Sequence, residues 1–177
     1  VAVGGGEEGR VAVAQVRATA RDTMGVKAMT LVPGDRVLAL SVALDDEDLL
    51  VVTGNGYGKR TAMSEYPRKG RPTKGVRTIK VSDRKGELVT ARPVREGQEL
   101  LLISQLGQVI RIEVGGIRRM GRATEGVRLM VVGEDDRVCG VAPVEGDDND
   151  LAPAGDVSEA PATGAEASAG AEVPAED

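Results

Sequence analysis

Arg71-Pro72-Thr73-Lys74-Gly75-Val76-Arg77-Thr78-Ile79 is one of three copies of a pattern that recurs along the chain. The others are Arg21-Asp22-Thr23-Met24-Gly25-Val26-Lys27-Ala28-Met29 and Arg122-Ala123-Thr124-Glu125-Gly126-Val127-Arg128-Leu129-Met130. The common form is R-x-T-x-G-V-[KR]-x-[IM], with its glycines spaced 50 and then 51 residues apart. Another arginine stands eleven residues before each leading one, at Arg10, Arg60 and Arg111. A second likeness joins Leu49-Leu50-Val51-Val52-Thr53-Gly54-Asn55-Gly56 to Leu100-Leu101-Leu102-Ile103-Ser104-Gln105-Leu106-Gly107, again 51 residues on. A fixed period of this length marks a repeat architecture, in which each unit is one supersecondary element stacked on its neighbours.

Between the repeated signals the apolar stretches are short and punctuated. Val26–Val32 runs to Pro33-Gly34, Val37–Leu44 to the acidic run Asp45 to Asp48, and Leu49–Thr53 to Asn55-Gly56, a hairpin signal. Tyr57–Met63 then leads into a polar loop over 64–74. Ile110, Ile112 and Val114 alternate with Arg111 and Glu113, as a half-buried strand requires. The pattern predicts an all-β fold of propeller-like blades, each of four antiparallel strands. The expected division is the end of one blade over 1–24, complete blades over 25–74 and 75–125, and a partial closing blade over 126–144. Residues 145–177 contain few large apolar side chains and are expected to be a disordered acidic tail.

The net charge of −5 is an average over two unlike parts. All 23 basic residues lie in 1–144 beside 18 acidic ones, a net of +5, while 145–177 carries 10 acids and no base, a net of −10. With no histidine, the chain holds no Ser-His-Asp triad, Cys-His pair or histidine metal site. Cys139 is alone, which rules out an internal disulfide. No apolar run is long enough for a membrane-spanning helix, and a cytoplasmic location is expected. The first residue is Val1, read as the start of a fragment of a longer chain.

Gly54-Asn55-Gly56-Tyr57-Gly58-Lys59-Arg60-Thr61 invites a phosphate-loop reading, which fails on spacing. Three residues instead of four separate the glycines, and Arg60 takes the place of the hydroxyl residue that would follow the lysine. A hairpin turn into a basic strand fits better. Asp45–Asp48 and Glu134–Asp136 lack the alternating ligand pattern of a calcium loop and read as solvated turn charge. No catalytic residue and no metal site are expected, and Tyr57 and Tyr66, the only aromatics, read as packing residues.

The cations are the informative set. Ten lie between Lys59 and Lys85, opposed only by Glu65 and Asp83. They recur at equivalent repeat positions and flank glycines, so stacking lines them along one edge. Such a row matches a phosphate backbone, and the near absence of aromatics disfavours single strands, leaving duplex DNA as the expected ligand. A protein-binding propeller with an acidic partner is the alternative from another class.

Leu49–Thr61, Glu65-Tyr66-Pro67, Thr73–Ile79 and Ile117–Val127 closely resemble the family of C-terminal domains found in the A chain of DNA gyrase. The likeness covers about 1–144. The corresponding domain of topoisomerase IV is the nearest rival. The family's Q-R-R-G-G-K-G box is absent, and its aligned stretch keeps only Arg71, Lys74 and Gly75. The resemblance implies a β-pinwheel that wraps duplex DNA around a basic rim and directs ATP-dependent negative supercoiling by a type II topoisomerase. It implies no cofactor in this segment, with ATP and Mg2+ used elsewhere and the nucleophilic tyrosine upstream. Implied partners are the remainder of a homodimeric gyrase A protein and the ATPase-bearing gyrase B protein, in an A2B2 complex associated with the bacterial nucleoid. Expected phosphate contacts are Arg10, Arg21 and Lys27 in the first unit. Lys59, Arg60, Arg68, Lys69, Arg71, Lys74 and Arg77 serve the second, and Arg111, Arg118, Arg119, Arg122 and Arg128 the third.

Overall fold

The computed structural model describes residues 1–144, so the acidic tail expected over 145–177 lies outside the described residues. Eleven strands are present among the described residues: β1 (Ala2–Val3), β2 (Glu7–Glu8), β3 (Val37–Ala39), β4 (Asp48–Thr53), β5 (Tyr57–Ala62) and β6 (Val76–Arg77). They continue with β7 (Leu88–Val94), β8 (Glu99–Ser104), β9 (Val109–Glu113), β10 (Val127–Arg128) and β11 (Val138–Val144). The only helical elements among the described residues are three 3-10 turns, at Val13–Gln15, Met63–Glu65 and Val114–Gly116.

The repeat appears as three hairpins, β1–β2, β4–β5 and β8–β9. Each turns at a glycine of positive φ, Gly6 (83°), Gly56 (79°) and Gly107 (86°), a conformation that a side chain disfavours. The strand that follows a hairpin returns to pair with its first strand: β3 on β1, β7 on β4, β11 on β8. The fourth strand comes from further along the chain. β6, which follows the second hairpin, pairs with β2 of the first, and β10 pairs with β5 in the same way. The sheet orders are therefore β3-β1-β2-β6, β10-β5-β4-β7 and, among the described residues, β11-β8-β9.

This exchange explains where the expected boundaries and the sheets part company. The fifty-residue repeat holds a hairpin, a donated strand and a returning strand, but the donated strand completes the preceding sheet. The first sheet thus draws on residues 2 to 77 and the second on 48 to 128, and neither coincides with the divisions at 24, 74 and 125. The expected strand Val26–Val32 is also absent. Its equivalents in the later copies, Val76–Arg77 and Val127–Arg128, are strands because β2 and β5 offer them an edge. No hairpin precedes residue 26 in the position to receive it among the described residues, and Val26 is 46% exposed. Val37–Leu44 shrinks to Val37–Ala39 because β1 gives it only two residues to pair with.

β4 sits in the middle of the core. All six of its residues are buried, because its two faces feed different clusters. Leu50 and Val52 pack with Val94, Leu100, Leu102 and Met130, while Leu49 and Val51 pack with Tyr66, Ile79, Leu88 and Ala91. A strand covered on both faces is apolar throughout instead of alternating, which is why Leu49–Thr53 is an unbroken run. The last position of the repeated motif, Met29, Ile79 and Met130, is buried in all three copies.

Candidate nucleic-acid interface

β7 touches β3 of the first sheet and β11 of the third, and the three strands form the inner edges of their sheets. The opposite edges of the first two sheets are β6 and β10, which places Arg77 and Arg128 there. The linkers that lead to these short strands, 66–75 and 117–126, carry most of the other expected contacts. Each linker is stitched to the preceding hairpin by backbone bonds, Lys69 N to Arg10 O (2.9 Å) in one and Met120 N to Arg60 O (2.8 Å) in the next. A glycine makes each approach possible. A Cβ on Gly126 would lie 2.7 Å from the Gly58 carbonyl oxygen, and one on Gly75 would lie 3.1 Å from that of Glu8. These glycines admit a neighbouring strand.

The expected contacts divide into two groups. Arg21, Lys27, Lys69, Lys74, Arg77 and Arg118 are exposed, and among the described residues their side chains make no hydrogen bond or ion pair. Arg68 and Arg119 are also exposed but reach back to carboxylates, Arg68 to Asp45 at 2.7 Å and Arg119 to Asp48 at 2.8 Å. The Arg68 and Arg10 guanidiniums hold the Asp45 carboxyl below its ordinary range. Arg111 lies on β9 beside Glu99, its Nε 2.9 Å from the carboxylate. Arg128 donates to the Tyr57 hydroxyl at 2.8 Å.

Lys59, Arg60 and Arg10 are corrections. Lys59 is completely buried on β5, beneath the 117–126 linker, with its ammonium within 3.0 Å of the Gly121 and Arg122 carbonyl oxygens and Thr124 Oγ1. Burial pushes its pKa down from the usual lysine value to about 8. Arg60, with a side chain only 11% exposed, donates to the Ile117 carbonyl at 2.8 Å and lies 3.3 Å from both Asp48 and Glu96. Arg10, its counterpart one repeat earlier, donates to the Met63 carbonyl at 2.9 Å and pairs with Asp45. Both arginines grip carbonyls at the 3-10 turn that opens the next linker, so their recurrence reports a joint between repeats. Arg71 and Arg122 are half-buried, Arg71 donating to the Gln15 carbonyl and Arg122 to that of Arg77 at 3.4 Å.

The acidic turns likewise do more than solvate. Asp48 and Asp136 are 6% and 5% exposed. Asp136 Oδ1 accepts from the Leu106 and Arg137 backbone amides at 3.1 and 2.8 Å, and a hydrogen bond from Ser104 leads the effects that lower its pKa. It ties the third hairpin's tip to the turn before β11. Asp35 does the same in the first repeat, accepting from Gly5 N at 3.1 Å and Arg36 N at 2.8 Å. Sequence reasoning also passed over Arg84, although it belongs to the basic run, and Arg137, which no motif marks. The two line a common cavity with Tyr57 and Arg128. Both tyrosines are buried, as expected of packing residues.

Comparisons with known proteins complete the description. The family model described as "DNA gyrase C-terminal domain, beta-propeller" matches the chain three times, over residues 10–43, 47–95 and 98–145. The DNA gyrase A protein of Escherichia coli (strain K12) is 42% identical over 139 residues, 76% of this chain and 16% of that protein. Its counterpart in Mycobacterium leprae (strain TN) is 45% identical over 127 residues, 72% of this chain and 10% of its own. The chain thus spans less than a fifth of these relatives. A solved DNA gyrase A C-terminal domain superposes with a TM-score of 0.74 at 29% identity, covering 80% of this chain and 48% of that one. A DNA topoisomerase IV C-terminal domain gives the same TM-score at 22% identity over 80% and 45%, a likeness of fold.

Proposed function

The chain belongs to the DNA gyrase C-terminal domain family, and from that premise we propose that it wraps duplex DNA along the outer edges of its sheets. The observation that carries this reading is the division of the cations. Lys59 and Arg60 are consumed inside the fold, whereas Lys69, Lys74, Arg77 and Arg118 stand in solvent with their side chains unpaired among the described residues. Lys69 and Lys74 lie in one linker, Arg77 on the strand β6 that it leads to and Arg118 in the next linker, on the edge remote from β3, β7 and β11. Neutralising phosphates there releases counterions whatever the base sequence, and a row spread over successive sheets favours a bent duplex over a straight one.

Within a longer gyrase A protein, this segment would set the path of the wrapped DNA for negative supercoiling. DNA cleavage, religation and ATP turnover with Mg2+ would belong to other parts of the assembly, an A2B2 complex with an ATPase partner. Tyr57 and Tyr66 are poor candidates for the nucleophile, being buried with their hydroxyls bonded to Arg128 and Thr78. Among the described residues no helix is long and apolar enough to cross a membrane. The reading puts the protein on chromosomal DNA in the bacterial cytoplasm.

The test is a fluorescence-anisotropy titration with random-sequence duplex at low salt, on material whose folding has been checked by thermal melting. Binding that is indifferent to sequence and weakens log-linearly with salt is expected. A folded chain that ignores duplex would sink the proposal and turn attention to an acidic protein partner.

A further inference from the structure

A cavity of about 300 Å3 opens beside the second hairpin's tip, where Arg84, Arg128 and Arg137 line one hollow. They arrive on three separate elements: the turn before β7, the donated strand β10 and the turn before β11. Tyr57 joins them from the start of β5. The guanidinium carbons of Arg84 and Arg128 lie 5.9 and 5.3 Å from its ring centroid, and Arg128 donates to its hydroxyl. Arg128 and, after it, Arg84 lower the pKa of the phenol, a sign of how positive the hollow is. Asn55 braces the Arg84 turn, its Nδ2 donating to the Asp83 and Arg84 carbonyls at 3.2 and 3.0 Å. Glu134 is the one acid in the lining, against three arginines.

We propose that this cavity is a phosphate-anchoring site, which holds one phosphodiester of the wrapped duplex between the second and third sheets. The inference rests on the DNA-wrapping reading and adds to it a built site with an uncharged member. Arg137 Nη1 donates to the Glu134 and Asp136 carbonyls at 2.8 and 2.6 Å, which fixes it in the lining with its remaining donors to spare. Arginines drawn from three elements suit the tetrahedral oxygens of a phosphate, whereas one arginine fork would satisfy a planar carboxylate. The Tyr57 hydroxyl can donate to a phosphate oxygen while still accepting from Arg128. Arg128 lies on the outer strand, so the cavity continues the exposed row and does not compete with it.

The experiment compares wild type with Arg84→Ala, Arg137→Ala and Tyr57→Phe for duplex affinity across a salt series, with each variant's melting temperature recorded. Each arginine variant should lower the slope of log affinity against log salt by about 0.9, the loss of one phosphate contact. Tyr57→Phe should weaken binding roughly fivefold, the worth of one hydrogen bond, and leave the slope unmoved because no charge is lost. If Tyr57→Phe melts early, the exposed Arg84 and Arg137 still decide the matter. Wild-type binding with all three variants unchanged would overturn the site while sparing the wrapping reading. No binding by wild type would bring down both. A cavity that takes free inorganic phosphate would raise wild-type melting but not that of Arg84→Ala, with duplex affinity unmoved, and would overturn the duplex assignment.

Discussion

Lys59 and Lys74 are both glycine-flanked lysines of the same basic run, and they sit in opposite regions of the molecule. Lys59 lies in the joint between β5 and the linker folded over it, with no exposure. Lys74 lies on the linker that leads to the outer strand, in solvent, with no side-chain partner among the described residues. The joint surrounds its cations with carbonyls: Gly121, Arg122, Ile117 and Gly115 for Lys59 and Arg60, Met63 and Tyr66 for Arg10. The rim surrounds its cations with water. On the proposed reading, the charge of this chain is therefore two signals superposed, one for holding neighbouring repeats together and one for meeting a polyanion.

The sharpest way to separate them begins in the joint. Lys59→Met should destabilise the fold by about 3 kcal/mol, because the linker loses the buried ammonium that ties the Gly121 and Arg122 carbonyls and the Thr124 hydroxyl to β5. Chemical denaturation would measure it, and a change below about 0.5 kcal/mol, the range of surface substitutions, would place Lys59 with the rim. Gly126→Ala should lose about 2 kcal/mol, since φ there is +77° and the new methyl meets the Gly58 carbonyl. Gly25→Ala, at the equivalent position of the first copy, should change stability by less than about 0.5 kcal/mol, as nothing lies within 4 Å of its Cβ position. Equal costs at the two glycines would contradict the strand-exchange account of the motif.

A smaller effect follows from protonation. The folded state depresses Lys59 to about 8, below the unfolded lysine. Above that pH the folded protein binds fewer protons than the unfolded chain, so Lys59 makes stability rise with pH up to the ordinary lysine pKa. Tyr66 acts in the other sense. Burial raises its phenol to about 12, so its contribution falls as pH climbs past the unfolded tyrosine value near 10. Melting curves should show a rise between about pH 8 and 10, absent in Lys59→Met, and then a decline. A flat profile in wild type would mean that the buried ammonium is better compensated than its surroundings imply.

The sequence carried the strands of the second and third hairpins almost to the residue, because Leu49–Thr53 is an unbroken apolar run closed by a turn and the residues around Ile110 alternate. It carried Arg77 by its repeat, since Lys27 and Arg128 hold the same place in the other copies, whereas Lys69 and Lys74 stood out only as part of the local basic run. Two things were beyond it. Strand donation is invisible in one repeat, because Val76–Arg77 is extended only when β2 is beside it, and no local pattern names that partner. The fate of a cation was equally hidden, because Lys59 and Lys74 differ in which carbonyls fold over them, a long-range fact. Arg137 escaped notice for a third reason: it reaches the cavity from a turn outside every repeated motif.

The central claim, that the rim charges read phosphate while the joint charges hold the fold, is tested most directly by one salt titration. Lys69, Lys74 and Arg77 are replaced together by Ala, and duplex affinity is followed against salt beside the wild type. The slope should fall by about 0.9 per lost contact while the melting temperature stays where it was. An unchanged slope, or a slope lost only along with the fold, would contradict the claim.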